Sequence, residues 1–258
     1  MFKSVYYSVA EGTQKVFIDN IEDNDIKKIK ENLQNVKLFL SLADYYLIVR
    51  DNCLEFLSDS KTNGINKPKN FIRADRLLLN SLSVFYVWQE YSKKNSINTV
   101  HKDIIANIKK RKDILGLADK IRHQVTHNGV DIIEKIDFDK SAKKTRYLID
   151  INSIFQGKAE DILSKKIIKY LNGTQLEAVS FMEDFLMEFN LLTKSIWEKV
   201  ENEYQVMIKF LMNYIPRLPP DCYNSVIVSD NTEERIAIGR MMELLTGKYE
   251  LIFECECI

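Results

Sequence analysis

Glycine and proline are scarce in this chain, and their scarcity limits the folds that it can adopt. The 258 residues include 8 glycines and 4 prolines, whereas a fold built from many short strands needs frequent turns that these residues supply. Apolar residues make up 45% of the chain and charged residues 29%, which is typical of a globular protein and not of a disordered one. The sequence therefore predicts long, uninterrupted helices in a mainly α-helical fold.

Helices are predicted where apolar residues recur every three to four positions, because that spacing places them on one face of a helix. These stretches cover residues 25–58, 71–93, 98–127, 158–171 and 175–213. Asn128 and Gly129 give a stop signal for the third of these helices, since glycine tolerates the left-handed conformation of a helix end. The aromatic residues of the second helix, around Trp88, are expected to be core.

Short strands are predicted outside those helices, where β-branched and aromatic residues are bounded by turn residues. They cover residues 2–9 and 14–21, a β-hairpin over 130–154, and a C-terminal strand–helix–strand unit at 225–229, 232–245 and 248–257. We expect three segments: N-terminal strands over 1–22, a helical domain over 23–215 and a β-α-β appendage over 216–258. The appendage is expected to pair with the N-terminal strands in a small sheet.

Membrane and redox signals are weak in this sequence. The first residues, "MFKSVYYSVAEG", contain no apolar core of signal-peptide length, and no run approaches 18 apolar residues. The four cysteines form no C-x-x-C pair, and Cys255 and Cys257 share one face of a predicted strand. We expect these cysteines to act as small apolar side chains in a reducing compartment. We therefore expect a cytoplasmic protein with no cofactor and no membrane association.

Charge is unevenly spread along a chain whose net charge is zero. Residues 61–170 carry 23 basic and 12 acidic side chains, whereas the segments before and after them carry net charges of −3 and −8. A local positive field attracts polyanions, although the same residues would also pair with the acidic remainder of the chain. The residues expected to contact the phosphates of a polyanion are Lys109, Lys110, Arg111, Lys112 and Arg76.

The stretch "LADKIRHQVTHNGVD", residues 117–131, holds two of the three histidines at the predicted helix end. Basic side chains in a last helical turn often only interact with the negative end of the helix dipole. A metal site is a second interpretation, because Asp119, His123 and His127 follow one another at intervals of four and share one helix face. No H-E-x-x-H motif accompanies them, and one face of one helix rarely supplies a complete site.

A third interpretation is acid–base cleavage of a phosphodiester by Arg122 and His127. Imidazole transfers protons near neutral pH, and guanidinium stays charged and matches phosphate oxygens as a fork. On an ideal helix the two residues stand roughly 140° apart, so they do not touch. They flank one phosphate only if the last turn frays at Asn128 and Gly129, or if a second subunit brings its own pair.

The segment "IRHQVTHNG" resembles the R-x4–6-H signature of the HEPN family (higher-eukaryote and prokaryote nucleotide-binding domain), with Arg122 and His127 at the signature positions. The family commonly has Asn or Asp after the arginine, where this chain has His123. The preceding "RADRLLLNSLSVFYVWQEY" is similar to the second helix of bacterial HEPN proteins of the abortive-infection kind, which carries an arginine and an asparagine, here Arg76 and Asn80. The resemblance covers roughly residues 25–215.

What the resemblance implies is a HEPN-like helical bundle with metal-independent endoribonuclease activity. Members of the family typically dimerise so that two motifs face one cleft, and bacterial members act in phage defence and toxin–antitoxin systems. Arg122 would stabilise charge on phosphorus and His127 would be the general acid or base. Supporting residues would be His123, Asn80, Asp119 and Asn128. The expected partners are RNA, a second copy of the chain and an antitoxin or other defence protein. The alternative is a non-catalytic module that binds a nucleotide, nucleic acid or protein partner through the same cleft.

Overall fold

Helices make up most of the part of the chain that the structure describes, which confirms the mainly α-helical prediction. The structure is a computed structural model. It describes residues 2–8, 14–62, 68–95, 113–128, 132–139, 144–159, 163, 165–171, 175–213, 225–229 and 235–237. The described helices are α1 (Asp23–Thr62), α2 (Pro68–Asn95), α3 (Ile114–Asn128), α4 (Ile151–Ile154), α5 (Lys165–Leu171) and α6 (Ala178–Met212).

Two small antiparallel sheets accompany these helices. The strands are β1 (Phe2–Ser8), β2 (Gln14–Ile21), β3 (Ile133–Asp139), β4 (Lys144–Asp150), β5 (Gln175–Glu177), β6 (Ser225–Ser229) and β7 (Arg235–Ala237). One sheet has the order β2-β1-β6-β7 and the other β3-β4-β5. The predicted N-terminal strands and the pairing of the C-terminal segment with them are therefore confirmed. The predicted hairpin is confirmed in β3 and β4, but its second strand ends at Asp150, and residues 151–154, which were predicted as part of it, form α4.

Three further predicted elements differ in the structure. Of the helix predicted over 98–127, residues 98–112 lie outside the described residues. Helix α3 begins at Ile114, after a bend at Asp113 whose carboxylate accepts the Gly116 N–H at 3.3 Å, as a helix cap does. The helix predicted over 232–245 is wrong at Arg235–Ala237, which pairs with β6 as a strand. The helix predicted from residue 175 starts with β5, which pairs with β4. In both strand cases hydrogen bonding to a neighbour overrides helical propensity.

The chain divides into two compact units, residues 44–198 and residues 1–43 with 199–258. The second of these holds the four-stranded sheet, and Phe39 meets Tyr204 edge-on with ring centres 5.3 Å apart. Domain boundaries at residues 22 and 215 stay a prediction. Among the described helices, none combines the length and the apolar character needed to cross a membrane.

The unit formed by residues 44–198 is built around an aromatic cluster. Its members are fully or almost fully buried: Phe85, Trp88, Phe181, Phe185 and Phe189. The rings of Phe85 and Trp88 both meet Phe189 edge-on, with centres 5.1 Å apart, a geometry that favours aromatic pairs beyond their buried area. The prediction that Phe85 and Trp88 are core is confirmed, and the cluster fixes α2 against α6.

Candidate functional site

Helix α3, which carries the R-x4-H stretch, is anchored by its apolar face. Leu117, Ala118, Ile121 and Val125 are buried on this face. Their spacing of three to four residues places them together on a helix. Each buried aliphatic side chain contributes about 1.5–3 kcal/mol. The opposite face is left for polar groups, and it carries both histidines.

The C-terminal end of α3 is fixed by hydrogen bonds. The Asn128 side chain donates to the Oε1 atom of Gln124 at 3.0 Å and to the carbonyl oxygen of Ile154 at 3.4 Å. The helix continues through Asn128, so the frayed last turn, one of the two routes expected to bring Arg122 to His127, is absent from this described helix.

Asp75 of α2 fixes the chain that follows α3. Its Oδ1 atom accepts the backbone N–H groups of Ile132 and Ile133 at 2.9 and 2.8 Å. A carboxylate that accepts two N–H groups forms charge-assisted hydrogen bonds, which are stronger than neutral ones. Asp75 therefore ties the start of the β-hairpin to α2.

Arg122 lies at the edge of the buried face of α3 and stacks on α2. Its Cζ atom lies 3.7 Å from the centre of the Tyr86 ring, which is cation–π geometry. Its Nε atom is buried and makes no hydrogen bond to any described residue. A buried donor without a partner costs about 1–3 kcal/mol, and the described residues leave that cost at Arg122 uncompensated.

His123 and His127 form a pair on the surface of α3. Both side chains are exposed, and their ring centres lie 4.3 Å apart at an interplanar angle of 58°. This contact follows from their spacing of four residues. In the described part of the chain no hydrogen bond joins His127 to Arg122. One subunit thus brings together His123 with His127 and Arg122 with Tyr86, but not the two signature residues.

The remaining predicted residues stand in different settings. Arg76 and Asn80 are both exposed on α2, one turn apart, and Asp119 is half-buried on α3. The described residues contain no group of three or more His, Cys, Asp or Glu that could hold a metal ion, so Asp119 does not complete a three-ligand cluster with the histidines. The basic run at residues 109–112 lies outside the described residues.

Tyr86 is the site residue that sequence reasoning did not assign, because it was grouped with the core aromatics. It is only half-buried, whereas Phe85 and Trp88 beside it are enclosed. One signal points to its role. Asp75 and Tyr86 stand eleven residues apart, about three helical turns, so they share the face of α2 that turns toward α3 and the hairpin.

Comparison with known proteins adds nothing to this geometry. The chain matches none of the family models, none of the curated proteins and none of the solved structures with which it was compared. Function is therefore inferred from the side chains themselves.

Proposed function

We propose that this protein is a HEPN-like endoribonuclease that cleaves RNA by acid–base chemistry at Arg122 and His127, without a catalytic metal ion. The observation that carries the proposal is the setting of Arg122. Its guanidinium is held against the Tyr86 ring while its buried Nε–H has no acceptor among the described residues. A phosphate oxygen matches the planar, permanently charged donor set of an arginine.

The reaction that these groups support is an internal transfer at phosphorus. A neutral imidazole takes the proton of the RNA 2′-hydroxyl, and the 2′-oxygen then attacks the phosphorus. The bond from phosphorus to the 5′-oxygen breaks, and a protonated imidazole gives that oxygen its proton. The products are a 2′,3′-cyclic phosphate and a free 5′-hydroxyl. Arg122 stabilises the negative charge that gathers on the phosphoryl oxygens in the transition state.

A second copy of the chain completes this chemistry. Because α3 is helical through Asn128, Arg122 and His127 of one copy stay roughly 140° apart. Two copies that face each other across a cleft supply two imidazoles, one as base and one as acid, and two guanidinium groups. Exposed Arg76 and Asn80, with the basic run at Lys109–Lys112, would extend the RNA contact beyond the cleaved bond.

The biological role that suits such an enzyme is a cytoplasmic toxin or abortive-infection effector in phage defence, controlled by an antitoxin or another defence partner. This role rests on the resemblance of the R-x4-H segment and of the second helix to bacterial HEPN proteins. Expression of the active chain should therefore arrest growth, and His127→Ala should abolish that arrest.

The decisive experiment is cleavage of total cellular RNA in the presence of EDTA. The wild-type protein should cut RNA and leave cyclic phosphate ends. Arg122→Ala and His127→Ala should each lower the rate by about 100-fold to 1000-fold, as expected when a transition-state donor or a proton-transfer group is removed. Circular dichroism and thermal melts of each variant would show whether it remains folded.

Two control variants show whether the loss of cleavage is specific to Arg122 and His127. Arg73→Ala removes an arginine whose side chain is paired with Glu55 and Asp59, and His101→Ala removes the remaining histidine. Neither should lower the cleavage rate. Unchanged cleavage by both Arg122→Ala and His127→Ala would refute the mechanism. Absence of cleavage together with binding of RNA, nucleotide or a protein that requires Arg122 would favour the non-catalytic module.

A further inference from the structure

The two imidazoles of α3 form a feature that the proposed reaction does not require. His123 and His127 are exposed and four residues apart, and their rings already touch with centres 4.3 Å apart. General acid–base catalysis uses one proton-transfer group at a time on each side of the phosphate, and His127 alone supplies it from each copy. His123 therefore needs a separate explanation.

The spacing of the pair fits a bidentate site for a transition-metal ion. Zinc binds imidazole nitrogen at about 2.0–2.1 Å with nearly tetrahedral angles, which places two ligating rings with their centres roughly 5 Å apart. The observed 4.3 Å needs an opening of less than about 1 Å, within reach of small side-chain rotations on an exposed helix face. No backbone movement is needed, because the helix already sets the spacing.

We propose that His123 and His127 chelate a divalent transition-metal ion of the zinc class, and that this binding inhibits the protein. Imidazole ligates as the neutral ring, so a bound ion occupies the nitrogen that His127 needs for proton transfer. Water completes the coordination, since no third His, Cys, Asp or Glu joins the pair among the described residues. Two protein ligands give a weak, exchangeable site, suited to inhibition and not to structural support.

Metal choice follows from the donor atoms. Imidazole suits Zn²⁺, Ni²⁺ and Cu²⁺, with affinity rising from Ni²⁺ to Cu²⁺. Mg²⁺ prefers oxygen ligands in octahedral geometry, so it should not compete. The inhibitory half of the proposal rests on the proposed ribonuclease activity, whereas the binding half does not and can be tested in a protein that cuts nothing.

Binding is tested by titrating the whole protein with Zn²⁺ and following the imidazole signals of all three histidines by NMR. Those of His123 and His127 should shift together and saturate, and the same range of Mg²⁺ should leave them in place. His123→Asn should weaken the zinc affinity measured at His127 at least tenfold, and His101→Asn should not change it. This residue-specific readout also excludes zinc bound by cysteines as the source of the signal.

A double variant tests the geometry and not the number of histidines. His123→Asn with Thr126→His keeps two imidazoles but makes them sequence neighbours, which point in different directions on a helix. Its zinc affinity should stay as weak as that of His123→Asn alone. Equal zinc affinity in wild type and His123→Asn, or His127 signals that zinc does not move, would overturn the proposed site.

Inhibition is measured as the ratio of RNA cleavage with and without Zn²⁺, each variant against its own zinc-free rate. Zn²⁺ should remove most of the cleavage activity of the wild type, and EDTA should restore it. The fold-reduction in cleavage rate that the same Zn²⁺ concentration causes should be at least ten times smaller in His123→Asn. Zinc bound at the pair without loss of cleavage would overturn the inhibitory role. A protein that binds zinc but never cleaves RNA would refute the proposed function while leaving the binding site intact.

Discussion

Arg73, which lies on α2, and Arg122, which packs against α2, differ in the partners of their side-chain donors. Arg73 of α2 is half exposed and pairs with Glu55 and with Asp59, the latter at 2.8 Å. These carboxylates raise its pKa. Arg122 is half-buried against Tyr86, and its Nε atom has no acceptor among the described residues. Arg73 thus uses its donors within the fold, whereas the Nε donor of Arg122 has no acceptor among the described residues.

The same contrast runs along α2. In its first half, Asp75 accepts two backbone N–H groups and the Ser81 hydroxyl donates to the carbonyl oxygen of Leu77 at 2.8 Å. In its second half, the side chains of Gln89 and Ser92 are fully buried and make no hydrogen bond to a described residue. The hydrogen-bonded polar groups of the first half, Asp75 and Ser81, are therefore structural, whereas Gln89 and Ser92 in the second half carry an uncompensated cost.

Asp75→Ala should have the largest effect on stability among the substitutions that compare the two halves of α2. It removes the acceptor of two buried N–H groups, and hydrogen bonds to a charged acceptor contribute about 1.5–3 kcal/mol each. We expect the free energy of unfolding in urea to fall by about 3 kcal/mol or more. Asp51→Ala is the matched control, since Asp51 is exposed and pairs with the neighbouring Arg50. Equal losses in the two variants would contradict a structural role of Asp75.

Arg122→Lys tests the stacked arginine without removing its charge. Lysine loses the fork of donors and the planar stack on Tyr86, so RNA cleavage should fall about 100-fold, equivalent to about 2.7 kcal/mol in the barrier. Arg73→Lys keeps a cation between Glu55 and Asp59 and should leave the cleavage rate unchanged. Cleavage by Arg122→Lys at the wild-type rate would show that charge alone suffices and that the stack has no role.

Residues with local signals were predicted correctly from the sequence. The stop signal at Asn128 and Gly129 predicted where α3 ends, because such a signal depends on neighbours within one or two turns, although the predicted start near residue 98 differs from Ile114. The contact between His123 and His127 follows from helical spacing alone. The burial of Phe85 and Trp88 followed from the apolar residues that cover much of the circumference of α2.

Features that depend on distant partners were not predictable in the same way. The stack of Arg122 on Tyr86 joins two helices whose packing angle no local pattern encodes. The strand at Arg235–Ala237 exists through pairing with β6, although its own sequence reads as helix. The role of Asp75 depends on N–H groups 57 and 58 positions away along the chain.

The thiol of Cys53 on α1, which is hydrogen-bonded with Ser81 in the first half of α2, gives a pH test of this contact. Burial raises the pKa of Cys53 to about 12, against a smaller opposing effect of its hydrogen bond with Ser81. An unfolded thiol titrates near 8.5, so above that pH the unfolded chain loses the proton first and stability falls as pH rises toward 12. By pH 10 the loss is about 2 kcal/mol.

Urea unfolding of the wild type and of Cys53→Ala from pH 8 to pH 10 measures the contribution of the Cys53 thiol to stability. The titration of all other groups cancels, because both proteins contain them. The stability advantage of wild type over Cys53→Ala should shrink by about 2 kcal/mol across that range. A constant difference would mean that the thiol is open to solvent in the folded protein, contrary to its burial.

Substitution of Gln89 should have the smallest effect, and it should stabilise the protein, whereas Asp75→Ala should destabilise it. Both polar atoms of its side chain are buried without a partner among the described residues, so an apolar residue of similar volume removes a cost and keeps the packing. Gln89→Met should raise the free energy of unfolding by about 1 kcal/mol.

The serines of α2 provide a matched pair. Ser92→Ala removes a hydroxyl without a partner among the described residues, whereas Ser81→Ala removes the hydroxyl that donates to the carbonyl oxygen of Leu77. Ser92→Ala should be neutral or stabilising and Ser81→Ala destabilising. Destabilisation by both Gln89→Met and Ser92→Ala would show that buried water satisfies the second half of α2, and the contrast between its two halves would then disappear.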